Sequence, residues 1–289
     1  MRRAQRSLQG LSVGDAFGER YFIDAGKVDL MVADRRLPAP PWRYSDDTVM
    51  ALSIVETLEQ WGSIDQDDLA ERFAAKYGRD PARGYGGTAH GILSALRQGH
   101  SWRQVSPLVF GGMGSMGNGG AMRAGPLGAY FADDLSVAMQ QARLSAEVTH
   151  AHVEGQAGAI AIAVAAAWAT HADEVERMFE AVLDHTPDGS TRATIALAAR
   201  LPLEYDVRTA ASALGNGSRV IAEDTVPLAL WCAARHLHDY ESALWTTVSG
   251  LGDRDTTCAI VGSIVALVPG VEVPVPWLSA REPLENMAG

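Results

Sequence analysis

The chain has 289 residues, 47% of them hydrophobic, enough to bury a large core as one large domain or two small ones. Net charge is −11 and no basic run exceeds the pairs Arg2-Arg3 and Arg35-Arg36, so non-specific affinity for nucleic acid or an anionic membrane is not expected. Cys232 and Cys258 each sit in an apolar helical run, and the longest apolar run, residues 157–169, is too short to span a bilayer; a soluble, cytoplasmic monomer is the expectation.

Residues 4–17 read as a helix whose Gly10, Gly14 and Gly18 would let another backbone approach closely. Within it Asp15 reads as a cap or a buried hydrogen-bond partner ahead of a catalytic group, and Glu19 stands at the helix end. Residues 22–41, closing on Pro38, Pro40 and Pro41, suggest an irregular loop or a short hairpin. The chain then reaches Ser45-Asp46-Asp47-Thr48 at the start of a helix over residues 49–61. Met50, Ile54, Leu58 and Trp61 recur there at helical spacing, with Leu52 and Val55 widening the apolar face, which predicts deep burial. Taken alone, the serine and aspartates at its mouth are an N-cap.

A further helix opens at Ser63-Ile64-Asp65 and runs to Tyr77; a turn at residues 85–89 leads into a helix over 92–98. The most unusual composition follows, with six glycines among residues 111–120. Such a run exposes backbone N–H groups and, leading into a helix predicted over 121–130, could form an anion nest; a flexible surface loop is an equal reading. The Gly-Lys-Ser/Thr ending of a P-loop is absent. Asp133-Asp134 cap a helix ending at Thr149-His150-Ala151-His152, where no cysteine or third histidine completes a zinc site, so a histidine beside a ligand or in a hydrogen-bond network is expected.

An Ala-rich core helix continues to Thr170, and an amphipathic one covers 171–183. Residues 191–213 hold one or two helices broken at Leu201-Pro202, and a helix over 218–236 follows the turn Gly215-Asn216-Gly217. After residues 240–249 comes Gly252-Asp253-Arg254-Asp255-Thr256-Thr257, again at the mouth of an apolar helix, 258–268. Residues 269–289 read as an extended tail with loose final residues. No sustained period-2 alternation occurs, so the fold class is all-α: a single compact multi-helix bundle spanning 1–289, with its core over about 4–268.

The two acidic mouths share one chemistry. Each offers paired carboxylates plus a hydroxyl, and oxygen-only ligand sets select hard cations such as Mg²⁺ or Mn²⁺. Four carboxylates brought together would repel strongly without cations, so if the mouths meet, a pair of metal ions that clamps oxygens and activates water is the economical arrangement.

With both acidic motifs and the run Gly117-Asn118-Gly119-Gly120-Ala121-Met122-Arg123, the chain resembles the ADP-ribosylglycohydrolase family, of the dinitrogenase-reductase-activating type, over residues 11–267. The resemblance implies a compact all-α domain in which two Mg²⁺ ions, with Mn²⁺ as the alternative, hydrolyse the glycosidic bond between ADP-ribose and a protein, nucleic-acid or small-molecule acceptor. It implies Ser45, Asp46, Asp47, Asp253, Asp255 and Thr256 as metal ligands, with Asp46, Asp47 and Asp255 also catalytic. It further implies Phe110, Gly114, Ser115, Met116, Gly117 and Asn118 around the diphosphate and adenosine, and His150 near the ligand. Phe22 stands where the family has a glutamate, which leaves Glu19 as the nearest acid; Met116 replaces a frequent aromatic, and Arg254 a small residue. Arg254 would bind a phosphate or a substrate carboxylate, or neutralise the acidic cluster. Two other readings use the same residues: an ADP-ribose-binding pseudoenzyme, and a two-metal nucleotide phosphohydrolase.

Overall fold

The computed structural model describes residues 1–172 and 174–284. Among them the chain is helical without strands, and only isolated bridges join Trp42 to Arg281 and Gly117 to Ile221. Helix α1 (Arg2–Glu19) runs through the centre, and α2 (Ala25–Ala33) follows it. The first acidic motif opens α3 (Asp46–Trp61), which precedes α4 (Gln66–Arg79), α5 (Gly87–Arg97) and α6 (Trp102–Gly112). Two short helices, α7 (Gly119–Met122) and α8 (Gly125–Tyr130), lead to α9 (Leu135–Glu147) and the Ala-rich α10 (Val153–Ala169). Then come α11 (Val175–His185), α12 (Ser190–Ala198), α13 (Val207–Leu214), α14 (Ala222–Arg235) and α15 (Tyr240–Ser249). The second acidic motif opens α16 (Arg254–Val265), and α17 (Val275–Ala280) is last.

The α1–α16 pair sets the geometry. Gly10, Gly14 and Gly18 recur every fourth residue, which puts them on one face of α1. A Cβ there would lie 2.2 Å from Gly262 O, 2.1 Å from Cys258 O and 2.2 Å from Arg254 O respectively. All three obstacles are main-chain atoms of α16, so the helices touch backbone to backbone. Asp15 and Phe17, which flank the stripe on its two sides, are buried as well.

Four expectations are corrected. Residues 25–33 form α2 rather than a loop or hairpin, because Asp24 caps the helix by accepting from Gly26 N at 3.0 Å; its single buried residue, Val28, gives little apolar periodicity to read. The tail is not wholly extended: Val275–Ala280 is helical, since proline is tolerated in a first helical turn, whereas Val-Pro-Val-Pro reads as strand-like in sequence. Trp277 of α17 stacks on Phe17 at 4.7 Å and packs edge-on to Trp42 and Trp245. The helix expected over 121–130 breaks at Arg123 and Ala124 into α7 and α8, with Pro126 in the first turn of α8. Trp61, expected in the core, is 53% exposed as the last residue of α3, ahead of left-handed Gly62 at φ +70°. The expected loose end falls partly at residues 285–289, outside the described residues.

The tail also braces the first acidic mouth. Trp42 N donates to Ala280 O, Glu282 N donates to Trp42 O, and the Glu282 carboxylate accepts from Tyr44 N at 3.0 Å and from Arg83. Arg83 in turn donates to Tyr44 O at 2.9 Å and lies over the Tyr44 ring. No helix among the described residues is long and apolar enough to cross a membrane.

Gly14→Ala should therefore destabilise the protein by roughly 1–3 kcal/mol or more in urea unfolding, because rigid backbone blocks the methyl group. Gly91→Ala, in helix α5 with open space at its Cβ, should stabilise it by about 0.4–1 kcal/mol. Equal effects at the two positions would refute the backbone-contact account.

Candidate metal and ligand site

Ser45 is the N-cap of α3: its Oγ accepts from Asp47 N at 3.3 Å while its hydroxyl donates to Asp47 Oδ2 at 2.7 Å. The orphan donors of the same turn are satisfied from another helix. Asp15, on α1, accepts from Ser45 N at 2.9 Å, from Thr48 N at 3.1 Å and from Thr48 Oγ1 at 2.5 Å. The sequence reading of Asp15 as a cap or buried partner thus holds, with the capped helix lying 30 residues downstream of it.

At the second mouth Asp253 takes the N-cap position of α16, with its N–H donating to Asn216 O at 3.0 Å. Asp255 Oδ1 accepts from Thr256 N at 2.8 Å, and Thr256 Oγ1 reaches across to Asp47 Oδ2 at 3.5 Å. The mouths therefore meet. One oxygen each from Asp15, Asp47 and Asp255 falls within 4.8 Å of the others, and Asp47 Oδ1 is buried without a hydrogen-bond partner.

Burial and mutual repulsion leave these carboxylates reluctant to ionise. Asp46 is pushed up to about 8 by burial and then by Asp15, with Asp253 adding to it. Asp47 is held well above the ordinary carboxylate range by burial and then by Asp15, Asp46 and Asp253, and Asp255 by burial and then by Asp47, Asp253 and Asp15. Asp15 rises to about 6 by burial, against the lowering effect of its hydrogen bonds. Arg254 does not sit among them as a counter-ion: its guanidinium donates to Tyr21 O and Ile23 O and lies over the Phe22 ring at 5.5 Å. Glu19 ends α1 at the surface, where partial burial of its carboxyl raises its pKa, Asp253 adds to the rise, and Arg20 and Arg43 oppose it.

The glycine run is tied down on both sides. Helix α6 kinks at Val109, so Phe110 (φ +53°) and Gly111 (φ +69°) take left-handed backbone and Phe110 stands 56% exposed. Gly114 (φ +76°) lies against the main chain of Ala151 and His152, where a Cβ would come within 2.6 Å of His152 N. Ser115 Oγ accepts from Gly117 N, Met116 O accepts from Ala222 N, and Asn118 N donates to Val220 O. The helix this run opens has only four residues, shorter than expected for an anion-binding N-terminus. Asn118 joins the loop to the second mouth: its Nδ2 donates to Asp253 Oδ2 at 2.7 Å and to Thr225 Oγ1 at 3.0 Å. His150 presents the Nε2 edge of its ring to Gly117 and Gly119, where a Cβ would come within 3.1 Å of Nε2 and 2.9 Å of Cε1.

The structure thus brings Ser45, Asp47, Asp255 and Thr256 into direct contact, sets Asp46 and Asp253 within electrostatic reach, and attaches the loop through Asn118. Sequence reasoning read Asp15 as a cap or buried partner but did not place it beside Asp47 and Asp255. Its signal was the flanking glycine stripe, which marks the helix face pressed against α16. Arg123, named above only as the end of the run from Gly117, is fully buried, which the sequence reading did not state.

A protein free of divalent cation should lose stability as its raised carboxyls ionise. Folded-state values above the unfolded ~3.9 mean that this contribution is intact below about pH 4 and is lost as pH rises through about 6 for Asp15 and about 8 for Asp46. In EDTA, the melting temperature of the wild type relative to Asp46→Asn should fall by several degrees between roughly pH 4 and pH 9. A difference that is flat with pH would refute the electrostatic account.

Comparison with known proteins shows the family and the fold. A family model described as ADP-ribosylglycohydrolase matches residues 1–289. "ADP-ribosylhydrolase ARH3" of Bos taurus is 33% identical over 97% of this chain and 87% of that protein, and the Homo sapiens protein of the same description is 32% identical over 84% and 76%. "ADP-ribosyl-[dinitrogen reductase] glycohydrolase" of Rhodospirillum rubrum is 27% identical over 96% and 89%. A solved structure described as "ADP-ribosylglycohydrolase-related protein complex" superposes with a TM-score of 0.68 over 97% of this chain and 94% of that one at 22% identity, which shows the shared fold. The chain belongs to the ADP-ribosylglycohydrolase family.

Proposed function

We propose that this chain hydrolyses the glycosidic bond between ADP-ribose and an acceptor, using a pair of divalent cations, Mg²⁺ with Mn²⁺ as the alternative. The observation that carries the reading is the buried meeting of the two mouths, where carboxylates without a cationic side chain among them leave Asp47 Oδ1 unpartnered. Buried like charges of this kind are stable when cations occupy the space between them. The donor set is entirely oxygen, as hard cations require.

Ser45, Asp46, Asp47, Asp253, Asp255 and Thr256 would hold the ions. When bound, the ions supply positive charge that orients the terminal ribose and lowers the pKa of water. Asp15 fixes the first mouth by capping α3, so the carboxylates of Asp46 and Asp47 are aimed before any ligand arrives. Asn118 holds Asp253 by its Oδ2 and so couples the loop to the second mouth. The bare backbone of Gly114–Gly117 accommodates the diphosphate, with Ser115 and Met116 beside it, and the exposed Phe110 ring offers a face for the adenine. Glu19, with its raised carboxyl at the surface end of α1, is assigned as the group that takes a proton from the attacking water. Asp46, Asp47 and Asp255 remain with the ions rather than cycling as an ordinary two-carboxylate glycosidase pair.

The test is release of ADP-ribose from arginine-, serine- and nucleic-acid-linked substrates with Mg²⁺ and with EDTA. Asp47→Ala or Asp255→Ala should lower kcat/KM by at least about a hundredfold, while stability in EDTA stays level or rises as repulsion is relieved. Full activity in both variants would remove the metal assignment. Phosphate or a nucleoside monophosphate as product, with the glycosidic bond intact, would replace the glycohydrolase reading with a phosphohydrolase. In the same assay Glu19→Gln should lower kcat with little change in KM; an unchanged kcat would leave the proton acceptor elsewhere.

A further inference from the structure

Arg123 is fully buried at the break between α7 and α8, with no carboxylate among its hydrogen-bond partners in the described residues. Its guanidinium lies over the Phe73 ring at 4.6 Å. One terminal nitrogen touches Met50 Sδ at 3.6 Å, and the other donates to Ser145 O at 3.0 Å and to Thr149 Oγ1 at 2.9 Å. Thr149 Oγ1 is in turn 2.7 Å from His150 Nδ1. Arginine has no acceptor, so the first of these two contacts fills a lone pair of Oγ1. The hydroxyl proton then needs an acceptor, and among the described residues His150 Nδ1 is the one within reach. A buried hydroxyl proton left without an acceptor is costly, so Thr149 donates and Nδ1 accepts.

The consequence falls on the far side of the ring. With Nδ1 accepting, a neutral imidazole carries its proton on Nε2, the atom facing the bare backbone of Gly117 and Gly119. The ring stays neutral, since burial and then the charge of Arg123 push His150 down to about 3. Nε2 has no hydrogen-bond partner among the described residues, and His150 keeps 9% of its surface.

We infer that Arg123, acting through the Thr149 hydroxyl, is a positioning residue that locks His150 in its Nε2–H tautomer and so turns it into a fixed hydrogen-bond donor toward an oxygen of a ligand held in the glycine loop. The tautomer lock stands on the protein alone; the ligand half rests on the ADP-ribose reading proposed above. The chain Arg123–Thr149–His150 is directional: each group donates to the next, and the buried cation at its head polarises both hydrogen bonds outward. It also gives a buried arginine remote from the surface a reason to stand beneath the site.

The test is long-range ¹H–¹⁵N correlation NMR on protein with ¹⁵N-labelled histidine, at neutral pH and without ligand, the His150 signals being assigned by their loss in His150→Gln. The wild type should read as neutral with the proton on Nε2. Thr149→Val, nearly the same shape without the hydroxyl, should release the lock to a mixed or Nδ1–H form, and Thr149→Ser should restore it. Arg123→Met, if it folds, should weaken the preference as well. Calorimetric titration of folded protein with ADP-ribose and Mg²⁺ should show Thr149→Val binding about tenfold more weakly, and Thr149→Ser binding as wild type. A wild-type Nδ1–H form, or a tautomer unmoved by Thr149→Val, would overturn the relay. A tautomer that moves while affinity does not would overturn its role in binding. An Nε2–H wild type that binds no ADP-ribose would uphold the lock and overturn the ligand reading instead.

Discussion

Everything in the site depends on carboxylates from three helices being held together in the interior against their own repulsion. That arrangement needs a scaffold that does not yield, and the glycine stripe of α1 supplies it. With Gly10, Gly14 and Gly18 against the main chain of α16, there is no side-chain layer between the helices to relax. Asp15 then reaches α3, while Asp255 arrives on α16, so one close-packed helix pair sets both sides of the acidic cluster. The remaining packing supports this core arrangement: the aromatic group of Phe17, Trp42, Trp245 and Trp277 fixes the C-terminal helix, and Glu282 and Arg83 brace the chain as it enters α3.

The same cluster explains the division of labour along the chain. Groups that would hold cations come from helix mouths, where orphan N–H donors and helix dipoles favour negative charge. Groups that would hold the organic part of a ligand come from the glycine run and from His150. Asn118 and Arg123 tie these two halves, Asn118 through Asp253 and Arg123 by its charge, felt at Asp46 and at His150. A site of this kind is preorganised, with the cost of its geometry met in folding rather than in binding.

Much of this was legible in the sequence because the chemistry is local. Two acidic-hydroxyl motifs at helix mouths, 206 positions apart counted from Asp47 to Asp253, announce an oxygen-ligand site, and the lack of period-2 alternation announces an all-α fold. Three things were not legible, each for a physical reason. Asp15 was read as a cap or buried partner, but that the helix it caps lies 30 residues away was not, because a cap supplied in trans leaves no local spacing to recognise. Helices α2 and α17 bury one residue each, too few for a periodic signal, and the prolines at the start of α17 mask a first turn that tolerates them. Arg123 is buried by its neighbours α3, α4 and α9, a tertiary fact that no window around it contains. At Arg254 the sequence offered phosphate binding or charge neutralisation, whereas the side chain secures the Tyr21–Ile23 turn beneath Phe22.

The central claim is that the space between Asp47 and Asp255 is a divalent-cation site, and the most direct measurement is anomalous diffraction from crystals of the wild-type protein grown with Mn²⁺. The account predicts strong anomalous peaks beside the carboxylate oxygens of Asp47 and Asp255, and their loss in Asp255→Ala. Anomalous peaks only at surface acids, with the Asp47–Asp255 space empty at saturating Mn²⁺, would contradict it.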